Sequence, residues 1–191
     1  MDEDDREAIS QAIDLHVRAG FYGVDKMVEM IDETVLEPGT VDQKWLRAEI
    51  DQALRAKKQE EASWPAETDC DRLDRMFEAL NREGVIALQN AGYTQSDGFE
   101  DVSEVYHEAG QAESGFMGYC FYHEQDLERV VEGDDLWLAF GDIHGDDEKG
   151  EAIGRRIQQA AERAGFEVEW DGTMGKRIML RGIHWQRRSP T

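Results

Sequence analysis

The chain has 191 residues, of which 43 are Asp or Glu and 21 are Lys or Arg, so its formal net charge is -22 at pH 7. Hydrophobic residues make up 40% of it, which is enough to bury a core and argues against an intrinsically disordered chain. The excess of acid disfavours nucleic acid and anionic membrane surfaces as partners, because binding to either depends on Lys and Arg. It favours a protein partner with a basic surface.

Cysteine content and the lack of apolar segments indicate the compartment. Cys70 and Cys120 are the only cysteines, and Cys120 falls in an apolar run that predicts a strand, where it would be a small buried hydrophobe. The acidic N-terminus carries no apolar signal segment, and no long apolar run occurs in the chain. We therefore expect a cytoplasmic protein with both thiols reduced.

The first 62 residues predict helices and carry no strand signal. Apolar side chains recur at helical spacing over Ile9–Val17, Val24–Ile31 and Val41–Leu54. Gly20 is placed to end the first of these helices. A polar stretch follows the third and leads into Ser63-Trp64-Pro65, the expected linker. We predict a small all-helical N-terminal segment over residues 1–62.

From residue 63 onward, helix and strand signals alternate. Apolar faces at helical spacing predict the helices, and most of these end at a glycine, where a left-handed backbone costs least. Short apolar or alternating runs predict the strands. The helices are expected near 68–83, 97–109, 124–132 and 146–164, and the strands near 85–88, 116–122, 136–140, 166–170 and 176–181.

The order of these elements predicts the fold class. Each crossover from Phe116 onward has about a dozen residues or more with a helix inside, which is long enough for parallel pairing. The turn at Asp171-Gly172 instead predicts an antiparallel hairpin at the end of the chain. We predict an α+β domain over residues 63–191, with a mixed β-sheet and helices mainly on one face.

Two strings that follow predicted strands contain potential metal ligands. Gly141-Asp142-Ile143-His144-Gly145 resembles the opening motif of calcineurin-like metallophosphoesterases, in which an Asp and a His ligate the first of two metals. That family also needs a later Asn and several histidines, whereas the residues after Gly145 include one His and no Asn. The dinuclear site of that family therefore cannot be completed, and the string also fits a polar loop in which Asp146 caps the next helix.

The second string places His123 and Asp126 three residues apart at the start of a helix. Together with Asp142 and His144 they are candidate metal ligands, if parallel strands bring both strings to one edge of the sheet. Such a site would support a metal-dependent hydrolase. The alternative is that Asp126 simply places negative charge at a helix N-terminus, which the helix dipole favours.

A basic and aromatic corner is predicted near the C-terminus of this acidic chain. Guanidinium groups pair well with carboxylate and phosphate, so the corner is a candidate site for an anionic small ligand. The alternative is that its cations neutralise neighbouring acidic helices. The candidate ligand-binding residues are Trp170, Arg177, Arg181, His184 and Trp185.

Over residues 64–188 the chain resembles an uncharacterised bacterial family of the domain-of-unknown-function kind, which implies no activity. The segments that carry the resemblance are Trp64-Pro65, Thr68 to Leu73, Gly118 to Asp126, Leu136 to Gly141 and Trp185 to Arg188.

A second likeness covers Asp135 to Gly172 and is to the regulator-of-ribonuclease-activity B family. Its members are small acidic α+β proteins that bind and inhibit a ribonuclease. They tend to carry an aromatic residue after the Asp-Gly pair, where this chain has Thr173. The likeness is at the level of the fold, and fold does not fix function.

These observations together favour a cytoplasmic, non-catalytic interaction or regulatory module. Its expected partner is a protein with a basic surface, not a nucleic acid or a membrane, and a homo-oligomer is compatible with the sequence. No cofactor is predicted. A metal-dependent hydrolase and an anionic small-ligand binding domain remain the alternatives.

Overall fold

The computed structural model describes residues 3–190. In that range it contains seven α-helices and a five-stranded mixed sheet, so the predicted α+β class is confirmed. The chain divides into two compact units: residues up to Thr68 and from Trp185 onward form the first, and Asp69–His184 forms the second. The boundary thus lies later than the predicted one after residue 62. No helix of the described range is long and apolar enough to cross a membrane.

Three helices build the first unit, as the sequence predicts. They are α1 (Glu3–Ala19), α2 (Val24–Thr34) and α3 (Gln43–Glu61). The carboxylate of Asp42 caps α3 by accepting hydrogen bonds from the first free N–H groups of that helix. Each helix turns an apolar face to one core, whose most deeply buried residues are Ile9, Met27, Ile31, Leu46 and Ile50.

The C-terminal tail belongs to the first unit, although we expected residues 185–191 in the α+β domain. The indole Nε1 of Trp185 donates to the Ala19 carbonyl at 3.2 Å, where the last turn of α1 leaves carbonyl groups without helical partners. The Ser189 N–H donates to the Glu61 carboxylate at 2.9 Å. These long-range hydrogen bonds, which no local pattern reveals, attach the tail to the N-terminal helices.

The second unit contains the sheet and four helices. The strands lie in the order β1-β2-β3-β5-β4, with β1 and β2 parallel and the other neighbours antiparallel. The strands are β1 (Val85–Leu88), β2 (Gly118–Phe121), β3 (Leu136–Asp142), β4 (Glu167–Glu169) and β5 (Ile178–Arg181), and the helices are α4 (Asp69–Arg82), α5 (Gln95–Glu108), α6 (Glu124–Val131) and α7 (Asp147–Arg163).

The pairing of β2 with β3 decides where the two motif strings lie. The connection between them contains α6 and is long enough for parallel pairing, yet β3 runs antiparallel to β2, with Gly118 opposite Asp142 and Phe121 opposite Ala139. The chain therefore enters β3 at the edge of the sheet where it left β2. A connection of this length permits either strand direction, so the antiparallel pairing of β2 and β3 could not be predicted from it.

The two faces of the sheet are covered by different helices. α4 and α7 pack together on one face, where the ring of Phe140 lies next to Gly154 of α7. α5 packs on the other face, where Phe121 and Val102 share a second apolar cluster. α5 packs against β1, and its Phe99 ring contacts Tyr119 and Phe121 of β2.

Candidate functional site

The four predicted metal ligands lie at opposite ends of the strands, and it is in this sense that they fall at opposite edges of the sheet. Asp142 is paired with Gly118 at the start of β2, whereas His123 follows the end of β2, five residues later. At about 3.3 Å per residue the two strings are roughly 16 Å apart. Within the described residues, no three His, Cys, Asp or Glu side chains are grouped as metal ligands. The expected site is therefore not formed, because it required β2 and β3 to be parallel.

His123, Asp126 and Arg177 form a buried ionic cluster at one edge, here called the Asp126 cluster. His123 Nε2 lies 3.1 Å from the Asp126 carboxylate, which is fully buried. The Arg177 guanidinium donates to the same carboxylate and, at 2.7 Å, to the carbonyl of Trp137. The cluster thereby attaches the segment before β5 to α6 and β3.

The electrostatics of the Asp126 cluster favour a neutral histidine. Burial lowers the pKa of His123, and although the nearby Asp126 carboxylate opposes this shift, Arg177 and Arg129 add to it. The Arg177 guanidinium compensates the Asp126 carboxylate beside a neutral imidazole. Three buried polar atoms of the cluster, His123 Nδ1, one carboxylate oxygen of Asp126 and Arg177 Nε, make no hydrogen bond with the described residues. The cluster therefore acts as a structural anchor of the fold, and His123, which is 4% exposed, is closed to a ligand.

At the opposite edge, Asp142 orders the loop that follows β3. Its carboxylate accepts the N–H of His144 at 2.8 Å and of Asp146 at 3.3 Å. The Asp146 carboxylate in turn caps α7 by accepting the N–H of Lys149 at 2.9 Å. The string that resembles a metallophosphoesterase motif thus has the geometry of a polar loop leading into a capped helix.

A cleft of about 400 Å³ lies between this loop and α7. Asp142 and His144 of its lining were candidate residues from the sequence, whereas the other lining residues were not predicted. The sequence signal that could have identified four of these residues was their spacing of i, i+3, i+4 and i+7 along α7, which places their side chains on one helix face. They are Lys149, Ala152, Ile153 and Arg156, and Phe116, Met117 and Ile143 complete the lining.

The predicted basic corner consists largely of residues with partners inside the second unit. Arg181 pairs with Glu169 at 3.2 Å on the neighbouring strand, and Arg177 belongs to the Asp126 cluster. Trp170 donates from its indole Nε1 to the Thr173 carbonyl.

The remaining two residues of that corner are divided between the units. His184 donates its backbone N–H to the Asp69 carboxylate in the second unit. Trp185 belongs to the first unit, where it is bonded to α1. Anion binding by the five residues stays a prediction. The support for it is weaker because the guanidinium groups of Arg177 and Arg181 already pair with carboxylates.

One face of α5 carries acidic side chains without compensating cations, a feature that was not predicted from the sequence. No Lys or Arg occurs between Arg82 and Arg129, a stretch that contains the whole of α5. The exposed carboxylates of α5 at positions i, i+4 and i+8 make no ion pair with any other described residue. They are Glu100, Glu104 and Glu108.

Two of the three large apolar side chains that are most exposed lie at the N-terminal end of the same helix. Tyr93 is 53% exposed and Phe99 is 41% exposed. The Phe99 ring packs edge-on against Tyr119 of the sheet, beside a groove of about 280 Å³. We call the surface formed by Tyr93, Phe99, Glu100, Glu104 and Glu108 the α5 face.

Comparison with known proteins gave a family but no function. Searches of curated proteins and of solved structures found no match to the chain. A family match covers residues 2–189, so it includes the N-terminal helices as well as the stretch for which we expected a resemblance. The chain therefore belongs to the family described as domain of unknown function DUF6891.

Proposed function

We propose that the protein is a non-catalytic binding module that recognises a Lys- and Arg-rich segment of a partner protein through the α5 face. The observation that carries the proposal is the coincidence of exposed aromatic rings with carboxylates that have no internal counter-charge. Tyr93 and Phe99 supply the rings, and the three glutamates of α5 supply the charge.

The two kinds of group have separate roles in this proposal. An exposed ion pair contributes only about 0.2–1 kcal/mol, so the carboxylates alone give weak and salt-sensitive attraction. They increase the association rate of a basic segment, because the whole chain, at a net charge of -22, attracts cations. The aromatic rings add apolar contact and stacking with guanidinium groups, each worth about 0.5–1 kcal/mol at an exposed site.

The alternatives have less support. A hydrolase based on His123, Asp126, Asp142 and His144 would need ligands that lie at two edges of the sheet to converge. The anionic-ligand alternative at Arg177 and Arg181 would need both arginines to leave carboxylate partners.

We also propose that the module acts in the cytoplasm. Its two cysteines, Cys70 and Cys120, are buried and form no disulfide, as fits a reducing compartment.

The test is a calorimetric titration of the full chain with a short peptide of Lys and Arg that carries one central Trp. The peptide is compared with one in which Ser replaces the Trp. A triple variant, Glu100→Gln with Glu104→Gln and Glu108→Gln, should weaken binding roughly tenfold, which corresponds to about 1.4 kcal/mol.

A matched control separates the α5 face from net charge. Glu33→Gln, Glu37→Gln and Glu60→Gln change the charge equally at exposed sites of the first unit. Equal losses of affinity from the two triple variants would refute the proposal. Tyr93→Ser leaves the charge unchanged and should weaken binding of both peptides, with the larger loss for the peptide that carries Trp, because that peptide loses apolar contact as well as guanidinium stacking.

A further inference from the structure

The cleft between α7 and the loop after β3 combines an apolar floor with cationic groups. Phe116, Met117 and Ile153 contribute to the floor, and Lys149 and Arg156 contribute the positive charge. Met117 is 42% exposed, so the cleft presents apolar surface to solvent. Its volume of about 400 Å³ falls within the range of small-ligand sites.

The single carboxylate that lines the cleft is already bonded. Asp142 accepts two backbone N–H groups of its own loop, at 2.8 and 3.3 Å. Arg156, by contrast, makes no hydrogen bond or ion pair with the described residues and is exposed. Its guanidinium is therefore available to an anionic group, which it is suited to bind through two parallel hydrogen bonds.

The acids of α7 point away from the cleft, although the protein as a whole is strongly acidic. At 100° per residue, Asp147 and Glu151 lie on the side of the helix opposite to Lys149, and Glu148 lies on its flank. Glu151 also pairs with Arg155, at 3.7 Å. More distant carboxylates are screened at physiological salt, where the Debye length is about 8 Å.

We propose that this cleft binds a small organic anion with an apolar body, such as an aromatic or branched carboxylate or phosphate ester. The body lies on Met117 and Ile153, and Arg156 pairs with the anionic group. Lys149, which only forms a loose ion pair with Asp146 at 3.8 Å, adds positive charge at the other end of the cleft. This site is separate from the α5 face and does not depend on it.

Two dyes with nearly the same apolar body provide the probe. 8-Anilinonaphthalene-1-sulfonate carries an anionic group, and N-phenyl-1-naphthylamine lacks it. Fluorescence titration of the full chain should show saturable binding of the sulfonate at one site, at least fivefold tighter than binding of the neutral dye. Equal affinity for the two dyes would overturn the proposal.

Adjacent arginines of α7 provide the matched variants. Arg156→Gln should weaken sulfonate binding at least fivefold and leave the neutral dye unaffected. Arg155→Gln, at a residue that is paired with Glu151 and does not line the cleft, should change neither. If the two variants act alike, or if Arg156→Gln has no effect, the cleft is not the anion site. Circular dichroism of both variants verifies that the fold is retained.

Discussion

Replacing Arg177 with leucine should destabilise the second unit strongly, because it leaves the Asp126 carboxylate buried without its closest cation. Asp126 is fully buried, and its remaining neighbours are His123 and, at 3.6 Å, the half-exposed Arg129. Removing one partner of a buried ion pair typically costs about 3–5 kcal/mol. Since Arg129 compensates part of the charge, we expect the free energy of unfolding to fall by about 3 kcal/mol, the lower limit of that range. This corresponds to a decrease of roughly 6–12 °C in Tm.

Urea unfolding of the full chain, followed by circular dichroism, measures this loss against a control. Arg181→Leu breaks an ion pair in which both side chains are about half exposed, and it should cost at most about 1 kcal/mol. The double variant Arg177→Leu with Asp126→Leu removes both charges and should recover most of the loss.

The same cluster offers a second readout, which is spectroscopic. Arg177 contributes to the lowered pKa of His123, so Arg177→Leu should raise that pKa in an NMR titration. Two results would refute the reasoning: equal destabilisation by Arg177→Leu and Arg181→Leu, or a double variant that is less stable than Arg177→Leu alone.

Three further predictions concern titratable groups. Burial lowers the pKa of His16, so the midpoint of its NMR titration should lie below 6.5. The free energy of unfolding should decrease as pH falls through that range, because the unfolded chain binds the proton at a higher pH than the folded chain does. A midpoint at or above 6.5 would contradict this prediction. Burial raises the pKa values of Glu124 and Glu128; repulsion by Glu128 adds to the shift of Glu124, and repulsion by Glu132 adds to that of Glu128. Glu128→Gln should therefore stabilise the protein by roughly 0.5 kcal/mol in urea unfolding at neutral pH, and the gain should disappear as pH falls through the raised pKa values. Burial also raises the pKa of the Cys120 thiol, so a thiol reagent should label neither cysteine in the native protein and both after denaturation, whereas rapid native labelling would show that the core opens.

Local signals in the sequence predicted the elements well. Gly165 ends α7 with a φ of +87°, as its position after the apolar face indicated. The strand expected near 136–140 is β3, extended by two residues to Asp142. These features depend on backbone preferences and side-chain periodicity, which act over a few residues and are visible in a single chain.

Relations between distant residues were not predictable in the same way. The crossover through α6 fits either strand direction, so the sequence could not decide whether His123 and Asp142 lie at one edge. The pairing of Arg177 with Asp126 joins residues 51 positions apart. Arg177 therefore looked available for an anionic ligand, whereas in the fold it compensates a buried carboxylate.

The α5 face was visible in the sequence but was not recognised. The absence of Lys and Arg between Arg82 and Arg129 indicates a surface that lacks internal counter-charge. The proposed binding role of this face depends on the exposure of Tyr93 and Phe99. Apolar residues next to the start of a helix usually pack into the core, where they could not contact a partner. Only the tertiary structure distinguishes the two cases.

The most direct test of the proposed function is an NMR map of the full chain, labelled with nitrogen-15, titrated with the basic peptide that carries Trp at physiological salt. We predict that the largest amide shifts lie at residues 93–108 and that Tyr93→Ser reduces them. Shifts of similar size across the acidic surfaces of α1 and α6, unchanged by Tyr93→Ser, would contradict it, because they would show attraction by net charge alone.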